Sequence, residues 1–193
     1  MITCMDDLLQ ASRKGESVRV AVAAADDEAA LSAMIAAASL RISTPLLFGD
    51  EKKITTLLAK LEGGAETSFE IRHVSDESAA AVQAVTAIRK GEAQILLKGK
   101  MKTAHLLKAV LDSENGLRLN RLLSDVFLFE NVHRTGRRLM IITDGGVTLK
   151  PDLKQKIEII ENAVFVMHTL GIALPKVALL SAVETVNPSL PST

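Results

Sequence analysis

Along the chain, short apolar runs alternate with longer stretches in which apolar residues recur every three or four positions. Residues 18–24, VRVAVAA, form a β-branched run; Leu31, Met34, Ile35 and Ala38 then follow at helical spacing, behind Asp26, Asp27 and Glu28, which suit a helix N-terminus. The pattern predicts a strand and then a helix. It repeats with PLLFG at 45–49, a helix around 50–61, a strand in SFEIRHV at 68–74, and a helix bearing Val82, Val85 and Ile88 among alanines. AQILLK at 93–98 reads as a further buried strand. Strands that are apolar on both faces and separated by helices predict right-handed crossovers and a parallel sheet with helices on both faces, an α/β fold.

The rhythm changes after residue 112. LLSDVFLFE at 122–130 and RRLMIIT at 137–143 are joined by the polar NVHRTG, too short for a helix, so the two runs are expected to pair antiparallel and to start a second sheet. Pro151 is expected to open a long helix with Leu153, Ile157, Ile160, Val164 and Met167 on one face, ended by Gly171 and followed by a strand in PKVALLSA at 175–182. These signals divide the chain into a first α/β domain, 1–115, and the start of a second, 116–193. ETVNPSLPST stops where another helix is expected, so the second domain reads as incomplete and the chain as cut.

Composition narrows the classes of function. The 193 residues carry 23 basic and 23 acidic side chains, which argues against a nucleic-acid or anionic-membrane surface as the main partner; any anion must be held locally. No apolar segment approaches the roughly 18 residues of a membrane span, and the N-terminus lacks the layout of a secretory signal, so the expected location is the cytoplasm. A single cysteine, Cys4, reads as a bystander, and five Phe with no Tyr or Trp leave few platforms for stacking. The fingerprints GxSxG, GxGxxG and the P-loop are absent, and the four histidines show no metal-ligand spacing, so no metal is expected.

Cations nevertheless gather at one place. LLKGKMKT at 96–103 sets Lys98, Lys100 and Lys102 around Gly99, where a strand stops and a helix starts, with Thr103 as the expected N-cap. Such a junction offers free backbone amides, a positive helix end and close approach at the glycine, which suits phosphate. The same lysines also fit solvated gatekeepers beside a strand, and on these residues alone that plainer reading stands first. Arg118 and Arg121 could add forked contacts to phosphate, or could simply lie on the surface. At two further strand ends, Thr143 and Asp144 of TDGGV, and Ser181, Glu184 and Asn187 of SAVETVNP, are polar groups that could line a cleft; TDGGV is equally a plain tight turn.

Four blocks in order, LLKGKMKTAHLLKAVL, GLRLNRLLSDVFLFE, RRLMIITDGGVTLKPDLKQKIEIIENAV and LGIALPKVALLSAVETVNPSLPST, resemble the phosphate acetyltransferase and phosphate butyryltransferase family, more closely its butyryl branch. The resemblance implies reversible transfer of a short acyl group, butyryl or acetyl, between coenzyme A and inorganic phosphate. It implies a cleft between two α/β domains arranged as in isocitrate and isopropylmalate dehydrogenases. It also implies acyl-CoA and phosphate as substrates, no permanently bound cofactor, and a homodimer. The phosphate and coenzyme A contacts would come from Lys98, Gly99, Lys100, Thr103, Arg118, Arg121, Thr143, Asp144, Ser181 and Asn187, and this tips the lysine junction towards an anion pocket. Where the butyryl branch has Ser-His-Val, this chain has Ser124, Asp125 and Val126. The family's catalytic serine, arginine and aspartate are expected beyond residue 193, so the base is unassigned, with Asp144 and Glu184 as candidates. The alternatives are a non-catalytic paralogue that binds phosphate or coenzyme A but lacks the base, and a metal-dependent dehydrogenase of the isopropylmalate type, disfavoured by the lack of paired aspartates and of an arginine-rich stretch.

Overall fold

The computed structural model describes residues 2–65, 68–133 and 136–190, with His133 described in its backbone only. The chain divides into two compact units, residues 12–119 and residues 1–11 together with 120–193. The start of the N-terminal helix α1 (Met5–Lys14) groups with residues 120–193. There the Met5 N–H donates to Glu130 and Asp6 pairs with Arg137.

The unit 12–119 is a parallel sheet of β1 (Val18–Ala23), β2 (Ser43–Gly49), β3 (Glu70–His73) and β4 (Ile95–Lys98), in the order β3-β2-β1-β4. Side chains of β1 alternate between two cores. Val20 and Val22 pack with Leu31 and Ile35 of α2 (Glu28–Ser39) and Ile54 of α3 (Glu51–Leu58) on one face. Ala21 and Ala23 pack with Ala80, Ala84 and Val85 of α4 (Glu77–Arg89) and Ala109 of α5 (Thr103–Val110) on the other. Small residues let α4 lie close to the sheet as it crosses from β3 at one edge to β4 at the other. The alternating strands, the helices on both faces and the parallel pairing are as the hydrophobic pattern predicts.

One strand differs from expectation. β4, read as buried, is an edge strand: it pairs parallel with β1, no other described strand flanks it, and Ile95 is 47 % exposed. An apolar run alone cannot separate an edge from a centre, because either fits a pleated, half-buried surface.

In the unit that includes 120–190, β5 (Phe127–His133) and β6 (Gly136–Ile142) form an antiparallel hairpin, as expected; its connecting residues 134 and 135 lie outside the described residues. Helix α6 (Leu153–Thr169) starts two residues after Pro151. Its N-cap is Asp152, whose carboxylate accepts from the Gln155 N–H while Gln155 reaches back to the Asp152 N–H, a reciprocal box that outcompetes proline as the start signal. Gly171, at φ +84°, ends the helix in the left-handed conformation that lacks a steric cost only for glycine. Of α6, only Ile159 is fully buried, and Leu153 of the expected apolar face is 76 % exposed. Ile160, Val164 and Met167 instead line an open apolar groove of ≈ 1090 Å³ with Leu139–Ile142 and residues 174–180. The expected strand at 175–182 is irregular backbone, with Leu179 and Leu180 exposed. A strand needs a neighbouring ladder, and among the described residues β5 and β6 pair only with each other.

Candidate anion site at the end of β4

In the unit 12–119, β1 leads through α2 to β2 on one side, while β4 pairs with its other side. The order of winding therefore reverses between β1 and β4, and at such a switch point the loops after the two strands diverge around a crevice. The loop after β4 carries Lys98, Gly99, Lys100 and Lys102. It is fastened to the end of β1 by two backbone bonds, Gly99 N–H to Ala23 O at 2.8 Å and Lys100 N–H to Ala24 O at 3.0 Å. Gly99 is obligatory here, since a Cβ at this position would stand 2.0 Å from Ala24 O.

Lys98 does not simply reach out into solvent. Its ammonium donates to Gly99 O at 3.2 Å and Met101 O at 3.1 Å, drawing the loop's carbonyls towards the cation. Thr103, expected to be the N-cap, is the first helical residue of α5; Lys102 occupies the cap with extended backbone and provides no side-chain acceptor. The other three helices that follow sheet strands in this unit are closed by their own aspartates. Asp27 accepts from Ala29 N–H, Asp50 from Lys53 N–H and Asp76 from Ala79 N–H. At α5 the first N–H groups, those of Thr103 and Ala104, have no acceptor among the described residues, and the exposed side chains of Lys100 and Lys102 stand beside them. Unfilled donors, a positive helix end and neighbouring ammonium groups together make a receptor for a small oxyanion. Arg118, exposed in the same unit, makes no side-chain bond among the described residues.

The other candidate residues belong to the second unit. Arg121 donates to Asn162 of α6 at 3.1 Å, so its guanidinium is partly committed. Asn162 also donates to Leu122 O and Ser124 Oγ, and Glu158, one turn earlier, accepts from the Leu122 N–H. These two helix residues tether 121–124 and were not singled out from sequence, although their i, i+4 spacing on one face was a visible signal. Thr143 donates to Asp125 O at 2.5 Å. Asp144 accepts from the Gly146, Val147 and Thr148 N–H groups at 2.9–3.1 Å, while the Asp125 carboxylate takes the Gly145 N–H. Burial alone would raise the Asp144 pKa, but the Val147, Gly146 and Thr148 amides outweigh it and lower it to about 2. A carboxylate so fully engaged is a poor base near neutral pH. Asp125 thus helps to hold the turn. Ser181, Glu184 and Asn187 lie in exposed irregular backbone, where Asn187 caps the Ser189 N–H.

The family model for phosphate acetyl/butaryl transferases matches residues 65–193. The chain belongs to this family. It is 37% identical over 193 residues to a phosphate butyryltransferase of Clostridium acetobutylicum, covering 100% of this chain and 63% of that protein. It is 36% identical over 189 residues to a phosphate acetyltransferase of Thermotoga maritima, covering 98% of this chain and 63% of the relative. Among solved structures, a branched-chain phosphotransacylase from Enterococcus faecalis V583 superposes with TM-score 0.70 at 32% identity, covering 91% of this chain and 60% of that one. A phosphotransacetylase from Streptococcus pyogenes superposes with TM-score 0.75 at 16% identity over 95% of this chain and 65% of its own, which bears on the fold alone. The chain thus spans somewhat less than two thirds of the length of these relatives. Among the described residues no helix is long and apolar enough to cross a membrane.

Proposed function

We propose that the protein is a phosphate acyltransferase, exchanging a butyryl or acetyl group between coenzyme A and inorganic phosphate. The observation that carries this reading is the uncapped first turn of α5, ringed by lysines at the switch point of the sheet, in a chain of this family. In the direction of coenzyme A acylation, a base removes the thiol proton and the thiolate attacks the acyl-phosphate carbonyl. The C–O bond to phosphate then breaks, and inorganic phosphate leaves with its bonding pair. No acyl-enzyme is needed. The α5 turn would hold the phosphate, its amides and Lys100 and Lys102 balancing charge that grows on the leaving group, with Lys98 keeping the turn in shape. Arg118, Arg121, Thr143, Ser181 and Asn187 are proposed contacts for phosphate or coenzyme A, and a cytoplasmic homodimer is the proposed setting. A second reading, a phosphate- or coenzyme A-binding paralogue without catalysis, is favoured by one observation: Asp144, a candidate base, is held as an anion by its own turn.

Phosphate-dependent thiol release from butyryl-CoA and acetyl-CoA separates the readings. It is measured on this chain and on a form extended to the relatives' length with the matching remainder of one of them. The enzyme reading expects turnover by the extended form, with this chain slower by about a hundredfold or more, since a positioned base and oxyanion donors are each worth that much. Phosphate binding without turnover in either form would leave the binding module.

A further inference from the structure

We propose that His105, held against Glu77, couples anion capture at the α5 turn to proton uptake; the inference rests on the phosphate site proposed above and adds a residue and a regulation to it. His105 is the third residue of α5, one turn from the Lys102 cap. Its Nδ1 is sealed from solvent without a hydrogen-bond partner and faces Glu77 Oε2 of α4 at 3.8 Å. With a bare lone pair, Nδ1 meets a carboxylate oxygen and neither group gains anything. With a proton, the same nitrogen donates to the carboxylate and the pair can close to hydrogen-bond length.

The surrounding charges decide which form wins. On α4, Glu77 favours the imidazolium, while Asp76 is occupied as the helix cap through the Ala79 N–H. On the loop and on α5 itself, Lys98, Lys100, Lys102 and Lys108 oppose it, Lys98 least because its ammonium is bound to two carbonyls. A bound dianion offsets the lysines, leaving Glu77 and the anion to stabilise the proton. Linkage requires the reverse as well: a protonated His105 binds the anion more tightly. The second imidazole of this unit, His73, has Nδ1 already accepting from the Glu51 N–H and lies at the end of β3, the far edge of the sheet.

Sulfate is the probe, because it stays a dianion where imidazoles titrate. Calorimetry of the full chain near pH 6.5, in two buffers of different ionisation enthalpy, should show net proton uptake on sulfate binding. Affinity should rise by about two- to fivefold from pH 8 to pH 6, as expected for one added charge near a helix end. His105→Gln should bind sulfate with neither uptake nor slope, Glu77→Gln should bind it with less uptake, and His73→Gln should keep both. Uptake that survives His105→Gln, or sulfate binding by the unmodified chain with no uptake, overturns the inference and leaves the phosphate site standing. Unchanged uptake in Glu77→Gln overturns the pairing. No sulfate binding at any pH overturns both the inference and the site.

Discussion

Two strand-end turns of this chain use the same backbone groups in opposite ways. After β6, the amides of residues 145–148 are filled from within, by Asp144 and Asp125. After β4, the amides that open α5 are left empty and the nearby side chains are cations. Both turns contain glycine, and both follow an apolar run. The difference lies in the sign of the side chains. A turn that supplies its own carboxylate has no electrostatic use for an anion, whereas one lined by lysines lowers the free energy of a bound anion and repels cations. Recognition of an anion site therefore depends on which donors remain unsatisfied, and a glycine-rich turn is not by itself a binding loop.

The largest effect should come from breaking the fastening of the empty turn to the sheet. Gly99→Ala drives a methyl to within 2.0 Å of Ala24 O, backbone against backbone, with no flexible side chain to yield. The expected cost is about 3 kcal/mol, from forced backbone displacement in a packed region. Urea unfolding of the chain measures it. A loss below about 0.5 kcal/mol, the range of an ordinary surface change, would mean that the β1 and β4 ends are not locked together as the two short backbone bonds imply.

The filled turn should respond to loss of its anion. Asp144→Ala removes the acceptor for three N–H groups, and the expected destabilisation is about 2 kcal/mol, since such groups are costly to leave unpaired. The pH dependence sharpens the test. Because the folded pKa of Asp144, about 2, lies below its ordinary value of 3.8, its contribution is present above the unfolded pKa and is lost as pH falls through the folded one. The stability gap between unmodified chain and variant should therefore be constant above about pH 5 and shrink between about pH 4 and 2. Asp7, also lowered to about 2 by bonds from Thr3, titrates in the same window in both proteins and cancels in the difference. A gap that stays constant down to pH 2 would show that the amides do not depend on the carboxylate's charge.

The contrast between the turns was half legible in the sequence. Strand-helix alternation, the antiparallel hairpin and the lysine cluster at 98–102 could all be read, because periodicity and charge are local. Three things could not. The edge position of β4 is set by where α4 delivers the chain, and nothing within AQILLK records that. The use of the Lys98 ammonium depends on how the loop folds back, which places Gly99 O and Met101 O within its reach. The filling of the 145–148 turn needs Asp125, some twenty residues earlier in the chain, whose role follows only once β5 and β6 are paired. The segment 175–182 failed for a related reason: its apolar pattern is that of a strand, but pairing requires a neighbour, and among the described residues none is present.

The smallest effect on stability separates the roles of the three lysines. Lys98 makes two bonds to loop carbonyls, so Lys98→Met should cost about 1 kcal/mol, the usual worth of a partly exposed charge-assisted contact, and should also weaken sulfate binding because the amides lose their alignment. Lys100 and Lys102 have exposed side chains, so Lys100→Ala and Lys102→Ala should leave stability within about 0.5 kcal/mol while each lowers sulfate affinity by about two- to fivefold. Salt distinguishes the two kinds of loss. Removing an exposed charge should flatten the dependence of sulfate affinity on ionic strength, because the screened attraction is what has gone. Removing the Lys98 staple should weaken binding at every salt concentration and lower the unfolding midpoint together with it. If all three variants lose affinity in parallel with no change in stability, Lys98 is another surface cation and the turn is held open by its backbone bonds to Ala23 and Ala24 alone.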